Sequence, residues 1–211
     1  DGVDDVTATA SAGAASIAVP WSILQSSYRI SDNGTYPITA TAVYATGATV
    51  RSLPTTLTVL NAAPTASFIA GGPINEGGTA SVRFATPFDP SSTDTGAGFR
   101  YSVDFNNDGD YDDATDVRDQ TATAFVVPAA LRADDGSYTF RGRIADKDGG
   151  ATESLATFVV NKVAPTLILA GADTVNEGAP YRLDLSATDP GADAIARWIV
   201  DWSDGVTETF D

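Results

Sequence analysis

The sequence predicts an all-β fold built from tandem repeats of about 100 residues. Two observations support this prediction. Short runs in which Thr, Val, Tyr and Ile alternate with polar residues are separated by Gly, Pro, Asn and Asp, a pattern typical of short strands joined by turns. The sequence also resembles itself at a fixed spacing, which indicates a repeat architecture. We see no helical apolar pattern, so we expect no helix.

The repeats define modules along the chain. Matching pairs are NAAPT at 61–65 and KVAPT at 162–166, INEGG at 74–78 and VNEGA at 175–179, FDP at 88–90 and TDP at 188–190, IAVP at 17–20 and FVVP at 125–128, and DNGTYPITATAV at 32–43 and DDGSYTFRGRIA at 134–145. They predict the back half of one module at 1–61, a complete module at 62–162 and the front half of a third at 163–211. A half module cannot bury its apolar face alone, so we expect further repeats or other copies to complete it.

Seven strands are predicted in the complete module. They lie near 65–70, 79–86, 99–105, 114–118, 121–127, 137–145 and 151–160. Seven short strands in about 100 residues are typical of an immunoglobulin-like β-sandwich.

Aromatic residues recur every second position in two of the predicted strands. Tyr101, Val103 and Phe105 share one face of their strand, and Trp198, Val200 and Trp202 are their repeat counterparts. Strict alternation is what a half-buried strand needs, so we interpret both rows as core rather than as sugar-stacking platforms. Trp21 lies outside this pattern, after Pro20, and we expect it to be partly exposed.

Two tyrosines follow turn sequences. Tyr36 and Tyr138 each stand two residues after a Gly and four after an Asp. This spacing predicts a tyrosine corner, in which the hydroxyl bonds to nearby backbone.

Together these motifs resemble the PKD-type immunoglobulin-like repeats of large bacterial surface proteins. The strand with aromatic-x-Val-Asp-aromatic and a following Asp-Gly turn spans 101–109 and 198–205, and the Gly-x-Tyr strand begins at 34–36 and 136–138. This chain carries an acidic insertion at 104–113 within that pattern. The resemblance implies an extracellular tandem array.

Composition excludes much chemistry. The chain has 211 residues, no Cys, Met or His, and a formal net charge of -16. Without these side chains there is no thiol nucleophile, imidazole base or zinc site of the usual ligands, and nothing indicates a cleft for a carboxylate pair, so we do not expect an enzyme. The negative charge disfavours nucleic acid and membrane surfaces, and no apolar run is long enough to insert into a bilayer.

The acidic loop DFNNDGDYDD carries the strongest chemical signal. Its oxygen-bearing residues are spaced as in a calcium loop, with ligands at positions one, three, five and nine, a carbonyl at seven, and a Gly at six for the turn. Thr115 stands where the usual closing Glu would be. The candidate calcium ligands are Asp104, Asn106, Asp108, Asp110, Asp112, Asp113 and Asp116. The alternative is a solvated acidic turn.

Two further acidic groups follow from the strand pattern. Asp146 and Asp148 form a weaker candidate set in DKDGG, which also fits a hairpin turn. If strands run alternately up and down, Glu76, 104–112 and 134–135 lie at the end from which the 161–165 linker leaves. Asp189 and Asp193 of the next module would face them, and a cation there would stiffen the joint.

These observations favour a non-enzymatic extracellular or cell-surface segment, structural or adhesive, that forms a calcium-stabilised stalk, surface array or fibre. Its expected partners are neighbouring repeats or further copies of itself arranged head to tail. Cell-surface polysaccharide is a further candidate partner. One alternative is a filament subunit in which half modules of different copies complete each other. Another is a carbohydrate-binding or spacer module of a secreted hydrolase.

Overall fold

The computed structural model describes residues 16–191, 193–202 and 205–210. Its first part contains one helix and two strand pairs. The helix is α1 (Trp21–Tyr28), and the strands are β1 (Gly34–Ile38), β2 (Thr41–Val43), β3 (Thr49–Arg51) and β4 (Thr55–Val59). β1 pairs antiparallel with β4, and β2 pairs with β3, so the four strands form an interrupted hairpin.

The middle part is a two-sheet sandwich. Its elements are β5 (Thr65–Ala70), β6 (Ile74–Asn75), β7 (Ser81–Phe88), α2 (Ser92–Ala97), β8 (Arg100–Asp104), β9 (Val117–Gln120), β10 (Ala124–Val126), a 3-10 helix (Ala129–Arg132), β11 (Gly136–Ala145) and β12 (Ala151–Asn161). One sheet has the order β10-β7-β5 and the other β6-β12-β11-β8-β9. This is the all-β, immunoglobulin-like architecture that the sequence predicts.

The last part contains two antiparallel strand pairs. β13 (Thr166–Gly171) pairs with β14 (Leu183–Thr188), and β15 (Trp198–Asp201) pairs with β16 (Thr207–Phe210). By the sequence repeat, β13 and β14 correspond to β5 and β7, and β15 corresponds to β8. Nothing in the structure tests the module limits at 61–62 and 162–163, which stay a prediction.

An aromatic core joins the two sheets of the sandwich. Phe140 and Phe158 are fully buried and stack with ring centroids 5.9 Å apart, and Phe105 meets Phe140 edge-on at 5.2 Å. The first predicted aromatic row is confirmed as core, because Tyr101, Val103 and Phe105 are all buried in this cluster.

The second aromatic row is only partly core, which corrects the sequence interpretation. Val200 is buried, but Trp198 is half-buried and Trp202 is 45% exposed, packing edge-on against Tyr181. The physical reason is that the described part of this module has only two strand pairs, β13–β14 and β15–β16. These are too few to cover the apolar side chains of β15 as the two full sheets of the sandwich cover those of β8.

Helices occur where the sequence analysis expected none. α1 begins after Pro20 and the 3-10 helix after Pro128, at matching repeat positions, because the fixed φ of proline suits a helix start. α2 begins at Ser91, whose side chain accepts a hydrogen bond from the Asp94 backbone N–H at 3.1 Å. These helices are short, and only α2 among them has a side-chain N-cap, so apolar periodicity does not detect them.

Both tyrosine corners are confirmed. The Tyr36 hydroxyl donates to the Asp32 carbonyl at 2.9 Å, and the Tyr138 hydroxyl donates to the Asp134 carbonyl at 3.2 Å. The bonds fix the loop that enters β1 and the loop that enters β11.

We expect Tyr138→Phe to destabilise the sandwich by about 1 kcal/mol, since it removes one hydrogen bond and leaves the Asp134 carbonyl without this donor. Urea unfolding followed by circular dichroism measures the change. Tyr44→Phe is the matched control, because Tyr44 is 57% exposed. Equal stability of the two variants would contradict a structural role for the corner.

Candidate cation sites

Acidic side chains gather at both ends of the sandwich. We call the groups the first junction, next to residues 16–61, and the second junction, next to residues 163–210. The first junction comprises Asp32, Asp89, Asp94, Asp146 and Asp148, and the second comprises Glu76, Asp134, Asp135, Asp189 and Asp193.

The second junction brings carboxylates of two predicted modules together. Glu76, Asp134, Asp135 and Asp193 each place one oxygen so that all four lie within 4.8 Å of one another. Glu76 is 4% exposed, and its two oxygens accept from the backbone N–H groups of Asp135 at 3.1 Å and Val163 at 2.9 Å. The buried Glu76 therefore ties the loop before β11 to the linker.

Lys162 lies within this group. Its Nζ is 2.6 Å from Asp193 Oδ2 and 3.6 Å from Asp135 Oδ1. The hydrogen bond to Asp193 is the main cause of a raised Lys162 pKa. One ammonium thus bridges the two predicted modules, but it faces several carboxylates.

Asp189 adds a further carboxylate beside Glu76. Its Oδ1 accepts from the Gly191 backbone N–H at 2.7 Å, while its Oδ2 is buried without a hydrogen bond from the described residues. A side chain at Gly191 would place its Cβ 2.9 Å from the Glu76 carboxyl and 3.1 Å from Asp189 Oδ1. The glycine allows the two acidic loops to approach.

The first junction is more deeply buried. Asp89, Asp94 and Asp146 place one oxygen each within 4.8 Å of one another, and their exposed fractions are 4%, 0% and 6%. Asp89 follows β7, Asp94 lies in α2, and Asp146 follows β11. Asp146 Oδ1 accepts from the backbone N–H groups of Asp148 at 2.8 Å and Gly150 at 2.9 Å, which fixes the β11–β12 turn.

Lys147 occupies the neighbouring part of the first junction. Its Nζ lies 2.7 Å from Asp32 Oδ2 and 3.0 Å from Asp94 Oδ1, and it also contacts Asp148. Hydrogen bonds to Asp148 and Asp32 raise the Lys147 pKa. Burial alone would raise the Asp32 pKa, but hydrogen bonds from Lys147 and the Asn33 backbone outweigh it, so the pKa of Asp32 is lowered.

The environment of Asp89 shifts its pKa in the direction opposite to that of Asp32. Its burial is the main cause of a raised pKa, and the negative charges of Asp94, Asp146 and Asp32 raise the pKa further. One hydrogen bond, from the Ser91 backbone N–H to Asp89 Oδ1 at 2.7 Å, opposes these effects.

Residues 16–61 contact the sandwich beside this group. The indole Nε1 of Trp21 donates to the Pro90 carbonyl at 2.7 Å, and Gln25 donates to the same oxygen at 2.6 Å. Ser91 Oγ donates to the Ser31 carbonyl at 2.8 Å. Trp21 is half-buried at this contact, in agreement with the sequence expectation of partial exposure, and its N–H already has a partner.

The acidic loop 104–116 forms a series of side-chain-to-backbone turns. Asp104 is fully buried, and its oxygens accept from the backbone N–H groups of Asn107 at 2.5 Å and Gly109 at 3.0 Å. Asn106 Nδ2 donates to Asp108 Oδ2 at 2.9 Å and to Asp113 Oδ2 at 2.5 Å. The structure therefore brings Asn106, Asp108 and Asp113 together.

The remaining loop ligands are more dispersed. Asp110 Oδ1 accepts from the Asp112 N–H at 3.0 Å, and Asp112 pairs with Arg118. Asp116 Oδ1 accepts from the Phe105 N–H at 3.0 Å, and burial is the main cause of its raised pKa. Among the described residues, groups of three or more carboxylates within 4.8 Å form at the two junctions and not within this loop. Calcium binding by the loop stays a prediction.

The sequence analysis found part of these groups. Strand direction placed Glu76, 134–135, Asp189 and Asp193 at one joint, and the structure brings them together there. The 104–112 loop, expected to join them, is not a member of that group. Sequence reasoning missed Asp32, Asp89 and Asp94 as site residues; the recurrence of Asp-Pro at 89–90 and 189–190 was the signal that could have found Asp89.

Comparison with known proteins assigns the chain to no family. No protein-family model matches the chain, and no curated protein matches its sequence. The chain is similar to the crystal structure of the FN1–FN3 domains of chicken CNTN1, at 11% identity and a TM-score of 0.34. The match covers 72% of this chain and 66% of that one. None of the described helices has the length and hydropathy to cross a membrane.

Proposed function

We propose that the chain is a non-enzymatic, extracellular structural or adhesive segment whose modules are stiffened by calcium at their junctions. The observation that carries the proposal is the second junction, where Glu76, Asp134 and Asp135 meet Asp193 from the next predicted module within 4.8 Å. A cation held by both sides would restrict bending of the linker between them.

Charge supports a cation at this position. Several carboxylates this close repel one another unless positive charge lies between them, and Lys162 supplies one ammonium. Carboxylate oxygens are the ligands of hard cations, and calcium accepts six to eight oxygens in irregular arrangements. Extracellular modules bind calcium with dissociation constants of about 10⁻⁴–10⁻³ M, which the concentrations outside cells can saturate.

The acidic loop contributes a second proposed calcium site within the module. Asn106, Asp108 and Asp113 are already in contact, and Asp104 anchors the start of the loop in the core. An ion bound by Asp104, Asn106, Asp108, Asp110, Asp112, Asp113 and Asp116 would offset the repulsion among these side chains. The array belongs to the PKD-like class on the motifs described above.

Small-angle X-ray scattering of the chain tests the stiffening. We expect calcium to increase the maximum dimension and reduce flexibility relative to chelator. Asp193→Asn removes one junction carboxylate, and we expect it to raise the calcium concentration needed for half of the change by roughly tenfold or more, since loss of even an indirect ligand partner costs metal affinity ~10–100-fold.

Asp184→Asn is the matched control, because it also removes one negative charge but lies outside both junctions, paired with Arg182. The proposal fails if the scattering is the same in calcium and chelator, or if the two variants respond equally.

A self-assembling filament is a second candidate, favoured by exposed apolar strand faces in both terminal parts. In the last part Leu167, Leu169 and Ile199 are 56%, 62% and 61% exposed, and in the first part Val43 and Val50 are 66% and 58% exposed. Residues 163–210 of one copy could pack on 16–61 of another. Negative-stain microscopy and light scattering would then show filaments whose length rises with concentration; a concentration-independent monomer contradicts this candidate.

A further inference from the structure

The first junction carries a feature that the acidic sequence alone does not explain. Asp89 Oδ2 and Asp94 Oδ2 are buried, and neither accepts a hydrogen bond from any described residue. Buried carboxylate oxygens are normally satisfied, because an unpaired one costs considerable free energy. These two oxygens belong to residues of the same three-carboxylate group, with Asp146 as the third.

The positive charge at this junction lies to one side. Lys147 contacts Asp32, Asp94 and Asp148, where it acts as a tethered cation for that half of the group. Within the described residues, no ion pair reaches Asp89 or Asp146. Among the described residues no cation therefore faces this half of the group. Asp146 is held by hydrogen bonds from the Asn61 amide at 2.9 Å and from two backbone N–H groups, whereas Asp89 Oδ2 accepts none.

We propose that Asp89, Asp94 and Asp146 bind a divalent cation, calcium by its chemistry, and that Asp94 links this ion to the Lys147 bridge that reaches Asp32 of the preceding segment. The three carboxylates bring one oxygen each within 4.8 Å of one another, so a single ion can contact all three. Calcium fits such a set because it accepts six to eight oxygens in flexible geometry, whereas magnesium demands a near-ideal octahedron.

The repeat supplies an independent observation. Asp189 stands at the position of Asp89 in the next module, and it shows the same pattern of contacts. In each case Oδ1 accepts the backbone N–H two residues later at 2.7 Å, and Oδ2 is buried without a donor among the described residues. The Asp-Pro loop thus presents the same free carboxylate oxygen at both junctions.

This inference deepens the proposed function. The stiffening that we assign to this ion rests on the proposed function, whereas the binding of the ion is measured by a separate experiment. Terbium is the probe, since it replaces calcium and emits when a nearby aromatic ring is excited. Trp21 donates to the Pro90 carbonyl, directly after Asp89, so selective tryptophan excitation reports on this site. The acidic loop contains Tyr111 and no tryptophan, and tyrosine is not excited under these conditions.

In a chain that carries Trp198→Phe and Trp202→Phe, so that Trp21 is its one tryptophan, we expect terbium emission that calcium displaces and that Trp21→Phe largely removes, while calorimetry shows the same number of bound ions in Trp21→Phe. Asp89→Asn and Asp94→Asn are each expected to weaken binding by roughly tenfold or more. Asn at 89 can still accept the Ser91 N–H, so this variant keeps the turn even if Asp94→Asn does not fold. Asp184→Asn controls for the loss of one charge.

A second variant tests the tethered cation. Lys147→Met leaves Asp32, Asp94 and Asp148 without their ammonium, so we expect one additional calcium ion per chain by calorimetry. Unchanged terbium affinity in folded Asp89→Asn, emission that persists in Trp21→Phe, or an unchanged ion count in Lys147→Met would each overturn the assignment. Binding that is retained while the scattering shows no stiffening would overturn the proposed function instead.

Discussion

Phe140→Ala is expected to destabilise the sandwich by about 3–5 kcal/mol, the usual cost of removing a buried aromatic ring. Phe140 is fully buried in β11 and packs against Phe105, which directly follows β8, and against Phe158 on β12. These three strands belong to one sheet and present their rings to the opposite sheet. Removing the ring leaves a cavity, and because the surrounding side chains are closely packed, they cannot move to fill it without strain.

Urea unfolding and hydrogen exchange of the β11 and β12 amides measure this effect. The matched control is Phe88→Ala, the same chemical change at a side chain that is 63% exposed, for which we expect less than about 1 kcal/mol. A loss below 1 kcal/mol in Phe140→Ala, or equal losses in both variants, would contradict the assigned core.

Asp89→Asn is expected to be more stable than the wild type in chelator, and this advantage is expected to fall as calcium is added. In chelator the variant removes a buried charge whose Oδ2 has no hydrogen bond among the described residues, so we expect a gain of about 1–3 kcal/mol. In calcium at ten times the dissociation constant, the wild-type site gains about 1.4 kcal/mol from binding, which the variant largely loses. The advantage of the variant therefore shrinks or reverses as calcium is added.

Thermal unfolding of Asp89→Asn and wild type, in chelator and in a calcium series, measures how the stability difference depends on calcium. Asp184→Asn again provides the comparison. The exposed Asp184 pairs with Arg182 and lies outside both junctions, so we expect the stability difference between this variant and wild type to be the same in chelator and in calcium. A constant stability difference between Asp89→Asn and wild type across the calcium series would contradict the site.

Many of the candidate cation ligands could be predicted from the sequence, but which of them lie together in space could not. The motif spacing in 104–116 identified seven oxygen-bearing residues, yet it could not show that Arg118 pairs with Asp112. Asp32 and Asp148 are 116 positions apart in the sequence, and their shared contact with Lys147 has no local signal. Such groups arise where loops that are far apart in the sequence meet at one end of a sandwich.

The sequence predicted the repeat, the all-β class and the buried row of Tyr101, Val103 and Phe105, because period-two alternation and turn residues are local properties of the chain. It also determined both tyrosine corners, since the hydroxyl reaches a carbonyl four residues away. The tertiary structure decided which carboxylates share a junction and which oxygens are buried without a donor. Those properties depend on how separate loops pack, and burial is what converts an ordinary aspartate such as Asp89 into a charge without a cationic partner among the described residues.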